Sequence, residues 1–393
     1  MTAVAYDVAA VRARFAALDG DLMFFDTPGG SQVPDTVRSA VSDAMRDAAA
    51  NLGGTFATST RVAEIVTAAR AAAGRFLGCD PDAVAFGQNM TSLNFTLSRA
   101  FAREGLKAGD EILVTRLDHD ASVSPWLEAA RDAGAVVKTV AIDEATCTLD
   151  LDDLAAQLSD RTRVVAFTWA ANSVGTLVDA AKICTLAHAH GALAWIDATH
   201  AAAHVNVDVD AIGADVLICS PYKFCGPHLD LTYVRPEVVG DWRPYKVRPA
   251  PDAPAGARFE TGTQPYEQLA GFTAAVEYWH DVDATGAGHA HAMELGQRLL
   301  DGLDDIDGAR LIGRPTMDGR VPTFLVSFPE HDATDVAAKL VARGIAASAS
   351  NSFYCLGLKD LFADRGALRL GLFHYNTAAE VDAVLTALAD ALR

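Results

Sequence analysis

DVLICSPYKFCGPH, residues 215–228, joins a nearly continuous apolar run to a turn that carries one lysine. An apolar run of this length, followed by Ser and Pro, predicts a buried strand that ends near Ser220. Lys223 then lies just past the carboxyl end of a strand, which is where open α/β sheets bind their ligands. Two alternatives follow for Lys223: a covalent catalyst, or an ordinary cation at a surface turn.

Six further apolar runs alternate with helical patterns in the first two thirds of the chain. Strands are predicted at 83–87, 111–115, 135–142, 163–169, 192–197 and 231–235, and helices at 91–104, 125–134 and 179–191. Nearly continuous apolar strands separated by helices are typical of a mostly parallel sheet with helices on both faces. We therefore predict an α/β fold whose large domain holds a mostly parallel, seven-stranded sheet.

The pattern changes after the Pro- and Gly-rich segment 248–265. Long helical stretches at 266–282 and 291–303 precede a few strands and a closing helix at 378–392. This change predicts a second, smaller C-terminal α+β domain. The predicted division is 1–20 as an N-terminal segment that packs with the small domain, 21–265 as the large domain, and 266–393 as the small domain.

Composition limits the classes of partner and compartment. The 393 residues include 51 acidic and 32 basic side chains, giving a formal charge of −19. This excess argues against nucleic acid or an anionic membrane as the main partner, so an anionic ligand needs locally placed donors. The six cysteines form no CxxC pair, which predicts reduced thiols in the cytoplasm and no metal site. No segment has the pattern of a secretory signal or a membrane span.

Neighbouring predicted strands end in polar residues that one crevice could share. Asp197 and His200 follow one strand, and Ser220, Tyr222 and Lys223 follow the next. A carboxylate that faces a pyridine nitrogen and an amine that forms a Schiff base are what proteins contribute to pyridoxal phosphate chemistry. The alternative interpretation is that Asp197 caps a loop and that Lys223 is solvated.

Three other segments add groups that suit the same chemistry. In FGQNMTSLNF, the amides of Asn89, Met90 and Thr91 fall at a predicted helix N-terminus, which favours a phosphate. His119 follows another strand end, where its ring could stack on a flat ligand. Asn172, in AANSVGT, offers an amide to a ring hydroxyl or a substrate carboxylate.

The order of these motifs resembles the class V aminotransferase family of fold type I pyridoxal phosphate enzymes, and within it the cysteine desulfurase-like branch. The resemblance extends from FFDTPGGSQVP at 24–34 to LRLGLFHYNT at 368–377, nearly the whole chain. It implies a large domain that binds pyridoxal 5′-phosphate and a small amino acid as substrate. It also implies a homodimer with active sites at the interface.

The resemblance implies a role for each motif residue. Lys223 matches the lysine that forms the Schiff base and acts as general acid and base. Asp197 matches the catalytic partner of the pyridine nitrogen, and His119 the histidine that stacks on the cofactor ring. Asn172 matches a residue near the ring hydroxyl and the substrate carboxylate, and His200 one that touches the ring hydroxyl.

Phosphate and carboxylate contacts are implied at four further positions. Ser220 and Tyr222 match phosphate ligands, with Tyr222 in place of a frequent histidine. Thr263, in RFETGT, matches a phosphate contact made across the dimer interface. Arg369 matches the arginine that pairs bidentately with the substrate α-carboxylate, a task that suits its planar guanidinium.

The thiols depart from the pattern of true desulfurases, which carry sulfur on a nucleophilic cysteine. Cys355 lies near the expected position, but no Lys, Arg or His stands within the ten residues before it to lower its pKa. Cys219 and Cys225 are predicted to be packing residues. Cys355 therefore stays a candidate sulfur-carrying thiol, while the sequence favours a mechanism that needs none.

The predicted function is that of a pyridoxal phosphate-dependent lyase or transferase acting on a small amino acid. A cysteine desulfurase-like or cysteine-conjugate C–S lyase is favoured. The alternative is a class V aminotransferase or amino-acid epimerase without sulfur chemistry. A pseudoenzyme is a third alternative, against which the retained site residues argue. Segments 51–61 and 350–357 are predicted as pocket walls, unless they are ordinary surface loops.

Overall fold

The structure, a computed structural model, describes residues 6–362 and 364–393. Its strands are β1 Met23–Phe24, β2 Val84–Gly87, β3 Glu111–Thr115, β4 Val136–Val140, β5 Ile142–Asp143, β6 Thr148–Leu149, β7 Thr162–Thr168, β8 Leu193–Asp197, β9 Val216–Cys219, β10 Asp230–Val234, β11 Arg310–Ile312, β12 Thr323–Ser327, β13 Ile345–Ala346, β14 Ser348–Ser350 and β15 Ala367–Gly371. Its α-helices are α1 Val8–Arg12, α2 Asp35–Asp47, α3 Ala57–Leu77, α4 Met90–Gly105, α5 Asp120–Ala133, α6 Leu151–Gln157, α7 Ala180–Ala189, α8 Val209–Ile212, α9 Pro236–Val239, α10 Tyr266–Asp283, α11 Ala287–Asp304, α12 Ala333–Val341 and α13 Ala378–Ala391. Within the described residues, none of the helices combines the length and apolarity needed to cross a membrane.

A sheet of seven strands forms the centre of the protein, in the order β2-β10-β9-β8-β7-β3-β4. The pairs β3/β4, β3/β7, β7/β8 and β8/β9 are parallel, whereas β10 is antiparallel to both of its neighbours. The prediction of a mostly parallel, seven-stranded sheet is therefore confirmed. The predicted run 135–142 divides, because Ile142 pairs with Leu149 in a separate two-stranded sheet.

Both faces of this sheet are buried, because alternate residues of a strand point to opposite sides. In β7, Val164 and Ala166 pack into one apolar cluster, which α4 and α5 cover. Val165 and Phe167 pack into another, which α3, α7 and α10 cover. Two apolar layers therefore hold the sheet rigid between helices.

One edge of the sheet collects the ends of several strands. Thr168 at the end of β7 pairs with Asp197 at the end of β8, and Asp197 pairs with Ile218 of β9. Because β10 runs in the opposite direction, its first residue, Asp230, lies at the same edge and pairs with Gly87 at the end of β2. Residues from five strands are thus brought to one edge.

The second, smaller sheet is antiparallel throughout, in the order β11-β12-β15-β14. Helices α11, α12 and α13 pack against it around an apolar cluster of its own. In the N-terminal segment, Arg12 donates to the carbonyl of Tyr375 and to the carboxylate of Glu380, both at 2.9 Å. The boundaries at residues 20 and 265 stay a prediction, and residues 1–5 lie outside the described residues.

Helix α5 begins five residues before the predicted start at residue 125. Pro125 lies inside the helix and has no N–H to donate to the carbonyl of Ala121. The side-chain amide of Asn94 donates to that carbonyl instead, at 2.8 Å. The same Asn94 accepts from the indole of Trp195 at 2.9 Å, so one buried side chain links α4, α5 and β8.

Helices α2 and α3 were not predicted, and they change the interpretation of segment 51–61. Helix α3 begins at Ala57, so residues 57–61 form its first turn and are not a loop. Arg61 pairs with Glu64 on the surface at 2.8 Å. Arg61 lines an open groove between helices, with acidic neighbours Asp43 and Asp47.

Gly175 gives a test of how tightly the two sheets are joined. Its φ is +74°, and a Cβ there would clash with the carbonyl oxygen of Thr323 at the start of β12. We expect Gly175→Ala to lower the free energy of unfolding through backbone strain, about 1–2 kcal/mol, and through overpacking, about 1–3 kcal/mol. Thermal and urea denaturation of the purified protein measure the change.

Gly191→Ala is the matched control. Gly191 has a φ of +70°, but a Cβ there meets nothing within 4 Å. It should therefore carry the backbone cost alone. Equal destabilisation by the two substitutions would contradict the predicted clash with Thr323.

Candidate active site

A cavity lies at the sheet edge where the strand ends meet. Ten residues predicted from the sequence line it: Asn89, Met90, Thr91, His119, Asn172, Asp197, His200, Ser220, Tyr222 and Lys223. Ala121, Thr168, Ala170, Thr199 and Asp230 complete the lining. The residues that the motifs singled out are therefore brought together, apart from Thr263, Arg369 and Cys355.

Lys223 ends a short 3₁₀ turn, Pro221–Lys223, that follows β9. Its Nζ donates to the carbonyl of Pro28 at 2.7 Å, and the side chain is buried. Burial lowers the pKa of this amine to about 8, helped by the positive charge of Arg369 and opposed by the nearby carboxylates. Near neutral pH a useful fraction of Lys223 is therefore the free amine, the form that attacks a carbonyl.

Asp197 is held by two hydrogen bonds at the end of β8. The hydroxyl of Ser122 donates to Oδ2 at 2.8 Å, and the backbone N–H of Thr199 donates to Oδ1 at 2.9 Å. Sequence reasoning missed Ser122, which lies in the first turn of α5, three residues after His119. The two donors orient the carboxylate and leave it at the cavity wall.

His119 is the N-cap of α5, and its Nδ1 accepts from the backbone N–H of Ala121 at 3.0 Å. A neutral imidazole that accepts at Nδ1 carries its proton on Nε2. Burial lowers the pKa of His119, and although the carboxylate of Asp197 acts in the opposite direction, the net shift favours the neutral form. The ring of Tyr354 stacks on it, with centroids 5.2 Å apart and planes inclined by 25°.

The start of α4 forms part of the cavity wall. Asn89 caps this helix by accepting from the backbone N–H of Ser92 at 2.8 Å, which leaves the first amides of the helix directed outward. Asp230 lies beside them, and its Oδ2 accepts a short hydrogen bond from the hydroxyl of Ser220. Burial raises the pKa of Asp230 to about 8. Sequence reasoning did not predict this carboxyl.

Several buried polar atoms near the cavity have no partner within the described residues. Thr199 Oγ1 and His200 Nδ1, both from cavity-lining residues, are among them. His200 is neutral, because burial lowers its pKa well below the usual value, and its Nε2 bonds to Thr323 Oγ1 at 2.9 Å. Unpaired buried polar groups are costly unless a ligand satisfies them. Together with Lys223 and Asp197, they fit the polar groups of pyridoxal phosphate.

Arg369 does not line the cavity and is not a free cation. Its Nη2 pairs with Asp26 Oδ1 at 2.9 Å, and its Nη1 donates to the carbonyl of Asn172 at 3.2 Å. The guanidinium lies 4.3 Å from the ring centroid of Phe353, and its Nε has no partner. A substrate carboxylate that takes Arg369 must therefore share it with Asp26 or displace Asp26.

The predicted wall segment 350–357 does contact the cavity residues, through Asn172. The amide Nδ2 of Asn172 donates to the carbonyl of Phe353 at 3.2 Å, and its Oδ1 accepts from Cys355 Sγ at 2.9 Å. Phe353 and Tyr354 both have positive φ, at 48° and 60°, which is strained for side chains of this size. This backbone turns Tyr354 outward against His119.

Cys355 is fully buried, and burial raises the pKa of its thiol to about 12. The thiolate is the form that attacks sulfur, so this environment does not suit a sulfur-carrying cysteine. Cys219 and Cys225 are equally buried within the core, and burial raises the pKa of each. Thr263 is exposed and does not line the cavity of its own chain.

The aminotransferase class-V family model matches residues 23–384. The chain belongs to this family. It is 32% identical to the uncharacterized protein MT3887 of Mycobacterium tuberculosis, over 98% of this chain and 99% of that protein. It is 29% identical to a probable cysteine desulfurase of Synechocystis, over 95% and 91% of the two chains.

The fold is also that of a solved desulfurase. The cysteine desulfurase CsdA of Escherichia coli superposes with a TM-score of 0.89 at 25% identity, covering 99% of each chain. The family implies a pyridoxal phosphate enzyme. The resemblance inferred from the motifs is therefore confirmed as to family and fold.

We expect Cys355 to resist alkylation in the folded protein. A thiol pKa of about 12 leaves about one thiolate in ten thousand at pH 8. Iodoacetamide labelling followed by peptide mass spectrometry should modify Cys355 only after denaturation. The partly exposed Cys79, whose thiol pKa is also about 12, controls for accessibility. Modification of Cys355 in the native state at a rate above that of Cys79 would contradict the buried, protonated thiol.

Proposed function

We propose that this protein is a pyridoxal phosphate-dependent enzyme that cleaves the Cβ–S bond of cysteine or a small cysteine conjugate. One observation carries the proposal: a buried amine that is partly neutral near pH 8 shares a cavity with a fixed carboxylate and a helix N-terminus. Relatives named as cysteine desulfurases support the sulfur-containing substrate.

Pyridoxal phosphate, when bound, supplies an electron sink for the pair of electrons left at the substrate Cα. Asp197, held by Ser122 and Thr199, would face the pyridine nitrogen and keep its proton in place. His119 would cover one face of the ring. Lys223 would hold the cofactor and then, as a free amine, remove the proton at Cα, which can pass to the sulfur that leaves Cβ.

The environment of Cys355 favours a lyase that needs no protein thiol. A buried thiol with a pKa of about 12, engaged by Asn172, is poorly suited to attack a substrate sulfur. A cysteine conjugate can instead release its sulfur as a thiol, because the leaving group departs from Cβ without being captured. We therefore propose that the sulfur leaves with the departing group of the substrate and that no persulfide forms on the protein.

The substrate α-carboxylate would bind Arg369 in exchange for Asp26. Arg369 is the buried cation beside Asn172, and its Nε has no partner. Asp26 is partly exposed, so it can turn to water when another carboxylate arrives. We also propose a homodimer, since Thr263 lies outside its own cavity and could contact a phosphate only in that of a partner subunit.

The first prediction of this proposal concerns cofactor loading. The purified protein mixed with pyridoxal phosphate should become yellow, and Lys223→Ala and Lys223→Arg should bind no cofactor covalently. Because only the neutral amine attacks an aldehyde, the rate of loading at saturating cofactor should rise with pH and level off above about 8. Stopped-flow absorbance measures the rate. A wild-type protein that stays colourless would contradict the proposal.

The second prediction concerns products. Cysteine or a small S-substituted cysteine should give pyruvate, ammonia and a thiol or sulfide, and Cys355→Ala should retain more than about half of the wild-type rate. Product identification by mass spectrometry measures the outcome, with Lys223→Ala as the inactive control. Dependence on an added keto acid would indicate a transaminase, and racemised substrate an epimerase. Loss of sulfur release in Cys355→Ala with normal cofactor colour would restore Cys355 as the sulfur carrier.

A further inference from the structure

Asp230 is a carboxyl group in the cavity with no role in the proposed reaction. It is the first residue of β10, it is 1% exposed, and it lines the same cavity as Lys223. The hydroxyl of Ser220 donates to its Oδ2, and the backbone amide of Met90 at the start of α4 is directed at the same carboxyl. Asp230 thus accepts from Ser220 and Met90, two of the donors that are expected to hold a phosphate.

A carboxylate and a phosphate dianion cannot share these donors without repulsion in a buried site. A neutral carboxyl removes the repulsion, because it keeps one O–H that can donate to a phosphate oxygen. The side chain cannot leave for solvent easily, since it is buried under the helix N-terminus and the turn that carries Lys223. Protonation in place is therefore the simplest way to accommodate the anion.

We propose that Asp230 binds the cofactor phosphate as the neutral acid, so that binding of the cofactor in alkaline solution takes up one proton. The inference rests on the proposed function, because it concerns the phosphate of the same cofactor. Asp230 is then a phosphate-binding residue, and the affinity of the site for the phosphate falls in alkaline solution.

The surroundings of Asp230 agree with this behaviour. Burial raises its pKa to about 8, although Ser220 and the charge of Lys223 act in the opposite direction. The carboxylate of Asp197 favours protonation of Asp230 as well. Tyr222 and Cys219 also face this region, but burial raises the pKa of Tyr222 to about 12 and that of Cys219 well above its usual value.

The raised pKa of Asp230 determines how the affinity for the phosphate changes with pH. Below about pH 8 the carboxyl is already protonated, so phosphate binding needs no extra proton. Above it, each binding event must draw a proton from solvent, because a bound dianion raises the pKa of Asp230 further. The affinity for the phosphate should then fall by about tenfold for each pH unit, the limit for one linked proton.

The experiment compares pyridoxine 5′-phosphate with pyridoxine, neither of which has an aldehyde to react with Lys223. Calorimetric titrations from pH 7 to pH 9.5 give the ratio of the two dissociation constants, which isolates the contribution of the phosphate. Ring ionisation cancels in this ratio, and the phosphate stays a dianion above its second pKa of about 6. Circular dichroism at each pH checks that the protein stays folded.

Three variants assign the titrating group. Lys223 also has a pKa of about 8, so its loss of charge could mimic the effect. The pH dependence of the ratio should persist in Lys223→Ala, with its onset at higher pH because the charge of Lys223 lowers the pKa of Asp230. It should disappear in Asp230→Asn, whose amide donates at every pH. Asp118→Asn is the matched control, because Asp118 is another buried carboxyl, with its pKa raised to about 7, that does not line the cavity.

The outcomes separate the inference from the proposed function. A ratio that is constant from pH 7 to pH 9.5 in the wild type, or a pH dependence that survives Asp230→Asn or vanishes in Lys223→Ala, overturns the role of Asp230. If neither compound binds at any pH and pyridoxal phosphate gives no colour, the proposed function itself fails. If Asp230→Asn does not fold, Lys223→Ala and the wild type still decide, because a pH-dependent ratio without Lys223 leaves Asp230 as the titrating group.

Discussion

The parallel pairing of β7, β8 and β9 is the constraint on which the site depends. Strands that run the same way end at the same edge, so Thr168, Asp197 and the turn after Cys219 become neighbours although they are far apart in sequence. The two apolar layers around the sheet fix that edge, since any shift in register would expose core side chains. Asp197 is the last residue of β8 and Lys223 lies in the short turn after β9, so the sheet itself positions both side chains.

Much of this arrangement was predictable from the sequence. Each strand of the large sheet reads as an apolar run, and the rule that ligands bind at strand carboxyl ends led directly to Asp197 and Lys223. The same rule explains what was missed. Asp230 is at the amino end of the one antiparallel strand, and nothing in LTYVR distinguishes that direction from a parallel one. Ser122 and Asn94 were missed because their partners are set by packing between helices and the sheet.

The cavity concentrates opposite charges in a protein whose overall charge is −19. Lys223 and Arg369 are buried near Asp26, Asp197 and Asp230, and burial moves the pKa values of Lys223 and Asp230 toward each other, to about 8. Both groups can therefore exchange protons near neutral pH, where ordinary lysine and aspartate cannot. An anionic cofactor could be held here by local amides and hydroxyls, because exposed charges more than a Debye length away are largely screened.

The pair between Arg369 and Asp26 links Asn172, at the cavity wall, to strand β14. Asp26 Oδ2 also accepts from the hydroxyl of Ser348 in β14 at 2.7 Å, and β14 leads directly into the strained turn at Phe353 and Tyr354. A carboxylate ligand that displaced Asp26 from Arg369 would leave Asp26 free to move together with Ser348, to which it is bonded. Asp26 is thus a counter-ion for Arg369 within the protein itself, and a substrate that bound Arg369 as proposed would alter the contacts of the segment that carries Phe353 and Tyr354.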